Sequence, residues 1–190
     1  MSKSSLQHAW VELTRGRSFS SLTLVPIEEG AQTLVLAQEL AGLAARDPRQ
    51  RVLVINATGT PTMRPPASAA AQVLPGRECF TQNDIVPVAQ GRFGLLDCAR
   101  LNMDENTIGM VEAPRYIDDV RAGKSPFTLI LVASNSPLAR PACVANARAA
   151  DGVILCVALG RTPMADGRRT VELVGEDNVV GSIAMRPRAD

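Results

Sequence analysis

Four short segments of this chain are almost uniformly apolar. Leu22 to Val25, Val52 to Ile55, Leu129 to Val132 and Val153 to Val157 lack the alternation of a strand with one wet face. Strands of that kind are buried on both sides, which is the condition of a parallel sheet covered by helices. Helical stretches lie between them: Leu34 to Arg46, stopped by Asp47-Pro48; Arg140 to Ala150, with Pro141 suited to its first turn; and Met164 to Val174. Val179 to Met185 reads as a last strand, Phe93 to Leu96 as a weak one, and Asp84 to Val88 as an edge strand or extended loop. Ala67 to Leu74 reads as a short helix and Arg115 to Ala122 as one or two helical turns. Strand and helix in alternation, with right-handed crossovers, predict an α/β fold: a doubly wound, mostly parallel sheet in a three-layer sandwich. Ligands of such sheets bind at the carboxyl ends of the strands. The loops after Val25, Ile55 and Val132 should therefore share one edge.

A chain of 190 residues is expected to form a single domain over 1–190, with 1–16 as an N-terminal helical arm and 187–190 as a disordered tail. In the arm, Leu6, Trp10 and Leu13 fall at i, i+4 and i+7 and form one apolar stripe. Docking of Trp10 on the core is the favoured reading; an exposed interaction anchor is the alternative. The net charge of +1 and an aromatic content of 3% give neither an electrostatic footprint nor a stacking surface for nucleic acid. Arg15 and Arg17 read as a solvated turn. The single histidine, His8, and the lack of C-x-x-C spacing among Cys79, Cys98, Cys143 and Cys156 argue against a metal site. Buried free thiols in a reducing compartment are expected instead. No signal peptide or membrane-length apolar run is evident, so a cytoplasmic location is expected, with any membrane contact made through a partner.

The first strand runs into Pro26-Ile27-Glu28-Glu29-Gly30-Ala31-Gln32-Thr33 and then into a helix. Strand, Gly-ended loop and helix form the context of a Walker A loop, in which backbone N–H groups cradle phosphate, a lysine reaches the β- and γ-phosphates, and a hydroxyl holds Mg²⁺. Here Ala31 stands at the lysine position and Gln32 at the hydroxyl position. Glu28 and Glu29 bring negative charge to where phosphate would sit, and either could serve as a built-in acceptor for the helix N-terminus. Thr33 is suited to capping or packing.

With these loops aligned, the chain resembles, over nearly its whole length, the cytoplasmic domain of bacterial tyrosine kinases (BY-kinases) of the deviant-Walker P-loop ATPase superfamily. The family's P-G-E-G-K-[ST]-T corresponds to Pro26 to Thr33, with Gly30 and Thr33 kept. Its D-x-D after the second strand corresponds to Asn56-Ala57-Thr58. Its Walker B aspartate falls on Ala133, in a segment ending Ser134-Asn135-Ser136-Pro137. Its A-x-x-x-D-G-V run is matched by Ala147 to Val153, and N-V-hydrophobic-G by Asn178 to Gly181. Two family features are missing. No tyrosine-rich tail is expected after Arg186-Pro187-Arg188-Ala189-Asp190, the single tyrosine being Tyr116, and the ring-forming arginines of the N-terminal helix are replaced by Val11 and Thr14.

The resemblance implies a role in bacterial exopolysaccharide or adhesin biosynthesis and export, and the substitutions imply loss of chemistry. Phosphoryl transfer rests on positioning and on charge stabilisation by Lys, Mg²⁺ and the acids that hold it. Loss of one oriented charge costs about 3–4 kcal/mol at a catalytic site. The expectation is a non-catalytic interaction or regulatory subunit without catalytic residue, metal or cofactor. Its degenerate site would comprise Gly30, Ala31, Gln32, Thr33, Asn56 and Ala133, and its interaction candidates are Trp10, Glu28 and Glu29. Implied partners are a membrane polysaccharide co-polymerase of the chain-length-determinant type or an active paralogue, with self-association left open. Two alternatives use the same residues: a divergent kinase or ATPase that still binds Mg-ATP, and a positioning protein of the septum or chromosome type.

Overall fold

The computed structural model describes residues 3–29, 32–59, 84–88, 91–98 and 113–185. The short helix expected at 67–74, Cys79 and the tail at 187–190 lie outside these residues. In chain order the elements are α1 (Lys3–Thr14), β1 (Ser21–Pro26), α2 (Thr33–Ala44), β2 (Val52–Asn56), β3 (Ile85–Val88), β4 (Phe93–Asp97), α3 (Ala113–Arg121), β5 (Leu129–Ala133), α4 (Cys143–Ala149), β6 (Gly152–Ala158), α5 (Met164–Val174) and β7 (Val179–Met185). Seven strands form one sheet in the order β3-β4-β2-β5-β1-β6-β7. All neighbours are parallel except the edge pair β3–β4.

Alternation along each central strand divides the core between the two faces. Leu22, Leu24, Val52, Val54, Leu129, Leu131 and Ile154 pack with α2 and with Leu6 of α1. Leu53, Ile55, Ile130 and Val132 meet Ala113, Tyr116 and Ile117 of α3. Val25, Val153 and Leu155 meet Ala147 of α4 and Val174 of α5. Buried strands carry apolar side chains on both faces, so β1, β2, β4 and β5 are buried at every position. Trp10 and Leu13 are half-buried against the α2-side core, so Trp10 packs there.

Two local expectations need correction. The segment read as a weak strand, Phe93 to Leu96, is fully buried, pairs β2 along its length and runs on to Asp97. Pro141 does not open its helix. Successive turns hold residues 136–142, with Arg140 N donating to Ser136 O at 2.8 Å and Cys143 N to Arg140 O at 3.0 Å. α4 then starts at Cys143, capped by Ala142 without a side-chain bond.

The Asp151-Gly152-Val153 match is explained by packing and backbone satisfaction. Asp151 Oδ2 accepts from Ser20 N at 2.7 Å and Ser21 N at 2.9 Å, and Oδ1 accepts from Arg121 Nε at 3.0 Å. Gly152 lies where a Cβ would come within 2.6 Å of Val180 Cγ1 and 3.1 Å of Leu22 Cδ2.

Candidate nucleotide-site edge

Register fixes which residues meet at the carboxyl end of the sheet. Asn56 of β2 is the Cα partner of both Asp97 of β4 and Ala133 of β5, and Ala133 is the partner of Leu24 of β1. Four strand ends therefore stand in a row, with the loop before α2 above β1. Two further backbone bonds carry the chains off the sheet in parallel: Ala57 N to Ala133 O at 2.9 Å, and Ser134 N to Leu24 O at 3.1 Å.

β2 ends on an amide at position 56, and β5 ends on a methyl group at position 133. Ala133 is fully buried and belongs to the apolar cluster under α2. Asn56 is also fully buried. Its Nδ2 donates to Asp97 Oδ1 at 2.8 Å, and its Oδ1 accepts from Thr58 N at 3.2 Å and Thr58 Oγ1 at 2.7 Å. Both ends of the amide are thus engaged. Asp97 is 4% exposed. The edge keeps a carboxylate, but on β4, tied to an amide. Sequence reasoning did not single out Asp97; its signal was an apolar run closed by an acid, the pattern of a Walker-type strand end.

On either side of Gly30 and Ala31, the described residues between β1 and α2 are held by packing bonds. Ile27 is buried, its N donating to Cys156 O at 3.2 Å and its O accepting from Ser136 Oγ at 2.8 Å. Thr33, 1% exposed, donates its hydroxyl to Ser134 O at 3.0 Å, which pins the first turn of α2 to the end of β5. Gln32 occupies the N-cap of α2 without a side-chain cap bond. Gly30 and Ala31 lie outside the described residues. Among the described residues, neither glutamate hydrogen-bonds the first turn of α2. Glu29 is 67% exposed and points toward Arg140, 4.0 Å away; Glu28 holds an inaccessible Oε1 without a hydrogen-bond partner. An exposed pair at that distance contributes little. Among the described residues there is no cluster of three or more His, Cys, Asp or Glu able to hold a metal. No described helix is long and apolar enough to cross a membrane.

A parallel sheet with β5 between β2 and β1, and a loop-to-helix turn after β1, is the fold of the P-loop ATPases. More particularly, it is the fold of the kinase domains of bacterial tyrosine kinases. The chimerical protein CapA2B2 superposes with a TM-score of 0.73 at 11% identity, over 97% of this chain and 85% of that one. The VpsO kinase domain gives 0.72 at 15% identity, over 98% and 96%. The kinase domain of the Escherichia coli tyrosine kinase ETK gives 0.67 at 14% identity, over 99% and 74%. A ParA family ATPase from Chlorobium tepidum shares the fold at 0.54 and 12% identity, over 91% and 75%. No protein-family model and no curated protein sequence matches the chain.

Proposed function

We propose that this chain is a non-catalytic, BY-kinase-like interaction subunit of bacterial exopolysaccharide or adhesin biosynthesis and export. The observation that carries this reading is the engagement of Asn56, whose amide is committed to Asp97 and Thr58 where a metal-holding acid would be required. The apolar setting of Ala133 and the packing bond of Thr33 support it. The likeness in fold to tyrosine kinase domains supports the pathway and, with it, a membrane polysaccharide co-polymerase or an active paralogue as partner. The subunit would then work at the inner face of the membrane through that partner. With Asn56 bonded to Asp97 and Thr58, the domain would hold one state where active relatives would use nucleotide to choose between two.

Calorimetry with Mg-ATP tests the loss of chemistry. The expected outcome is no saturable binding at physiological nucleotide concentration; a micromolar dissociation constant overturns the reading. The partner is tested by co-purification with the cytoplasmic ends of a co-polymerase and with a competent paralogue. Binding to neither removes the proposed role.

A further inference from the structure

A second cleft lies at the opposite end of the sheet. It encloses about 340 Å³ and is bordered by the start of β2, the β3–β4 hairpin and the approach to β5. That volume is within the range of small-ligand sites. Arg51 and Arg92 stand immediately before the register pair Val52–Phe93 on two adjacent parallel strands. Side chains alternate along a strand, so Arg51 shares the face of Leu53 and Arg92 that of Gly94. Leu53 and Gly94 are themselves register partners. The two arginines are therefore side by side on one face, both exposed and both lining the cleft. Among the described residues, neither guanidinium makes an ion pair or side-chain hydrogen bond, and none of those lining the cleft is acidic. Two like charges in register repel unless an anion sits between them.

The rest of the cleft is apolar and shaped by a glycine. A Cβ on Gly94 would come within 2.7 Å of Ile85 Cγ2 and 3.2 Å of Phe127 Cζ, so Ile85 and Phe127 close directly over bare backbone. Gly91, at φ +83°, makes the tight turn that returns the chain to Arg92, with its N–H donating to Val88 O at 3.1 Å. Thr128 holds the Phe127 wall to the start of β2. Its Oγ1 accepts from Arg51 N at 2.9 Å and donates to Gln50 Oε1 at 2.9 Å, which leaves the Gln50 NH₂ as a further donor at the rim. An aromatic wall, two unpaired guanidinium groups and an amide NH₂ suit a flat ring carrying a dianion. A carboxylate would neutralise only one of the two arginines, whereas a phosphate monoester matches both charges and supplies oxygens for bidentate arginine contacts.

We propose that this cleft binds an aryl phosphate, with Phe127 and Ile85 against the ring and Arg51 and Arg92 on the phosphoryl group. The site is separate from the nucleotide edge and does not depend on the function proposed above. The full chain is titrated by calorimetry with N-acetyl-phosphotyrosine amide, phenyl phosphate, N-acetyl-phosphoserine amide, N-acetyl-tyrosine amide and inorganic phosphate. Saturable binding of the two aryl phosphates is expected, with phosphoserine amide and inorganic phosphate at least about tenfold weaker and tyrosine amide not binding. Stronger binding of phosphotyrosine amide identifies a polypeptide source; equal binding identifies the free aryl ester. Arg51→Ala and Arg92→Ala, both at exposed positions, should each weaken binding by about tenfold or more, while Arg169→Ala on α5 should leave it unchanged. No saturable aryl phosphate binding, binding that inorganic phosphate matches, or binding indifferent to Arg51→Ala and Arg92→Ala overturns the proposal.

Discussion

Asn56 and Asp97, 41 residues apart, are register partners on adjacent strands, and the Asn56 amide donates to the Asp97 carboxylate at 2.8 Å in a buried setting. The amide and the acid are a matched pair, because a carboxylate at position 56 would face Asp97 with no proton between them. The pair makes an aspartate at position 56 costly whatever stands between β1 and α2.

Asn56→Asp should therefore lower stability by about 2–4 kcal/mol at pH 7, as an unpaired buried charge does. The loss should ease as the pH falls into the carboxyl range, where one proton shared by the pair restores a hydrogen bond. Adding Asp97→Asn should recover most of the stability at pH 7. Urea unfolding of the two single variants and the double variant reads this as a double-mutant cycle.

Nucleotide binding should not return with the lysine alone. Ala31→Lys leaves Asn56 engaged and Ala133 in an apolar cluster, so it should bind no Mg-ATP. If any set of changes restores binding, it should need Ala31→Lys, Gln32→Thr, Asn56→Asp and Ala133→Asp together with Asp97→Asn. Calorimetry on the single variant decides the point: saturable binding there would show that the site lacked only a charge.

Asp151 should carry part of the acid sensitivity of the fold. Burial pushes its pKa up, but the hydrogen bonds from Arg121, Ser20 and Ser21 outweigh this and hold it below the usual carboxylate value. A carboxylate whose pKa is lowered by folding contributes stability above its unfolded value, and that contribution is lost as the pH falls through the folded value. Asp151→Ala should cost about 1–2 kcal/mol at pH 7. The difference from the parent should shrink below about pH 4. Urea midpoints measured across that range test the sign.

Gly152→Ala should destabilise by about 1–3 kcal/mol, since the added methyl meets the stiff side chain of Val180 and the buried Leu22. Thermal unfolding measures it. An unchanged midpoint would mean that β7 can move away from β6 without cost.

The thiols of Cys98, Cys143 and Cys156 are free and buried, and burial pushes the Cys156 thiol up to about 12. The reactive form is the thiolate. In the native protein at pH 8 these three should resist alkylation and become reactive only on unfolding, as mass spectrometry of peptides from native and urea-treated samples would show.

The residues themselves determined the layered architecture. A segment such as Val52-Leu53-Val54-Ile55 can satisfy both faces only inside a covered parallel sheet, and that requirement is local enough to read from the chain. The same reasoning located the loops after Val25, Ile55 and Val132 at one edge, while the Walker A pattern and the resemblance to BY-kinases pointed to Ala31, Gln32, Asn56 and Ala133. Tertiary structure decided what Asn56 and Ala133 meet. Asn56 meets Asp97 because β4 pairs in register beside β2, and no local pattern encodes a partner 41 positions further along the chain. Phe93 to Asp97 read as a weak strand because Gly94 and the closing acid dilute its apolar pattern; pairing with β2 and β3 buries it regardless. Glu28 and Glu29 read as ready acceptors for α2. In the folded chain Glu29 is exposed 4.0 Å from Arg140, a neighbour brought there by the sheet and not by proximity along the chain. The arginine pair at positions 51 and 92 became visible for the same reason: parallel register sets residues from distant segments side by side, and only the folded sheet specifies the register.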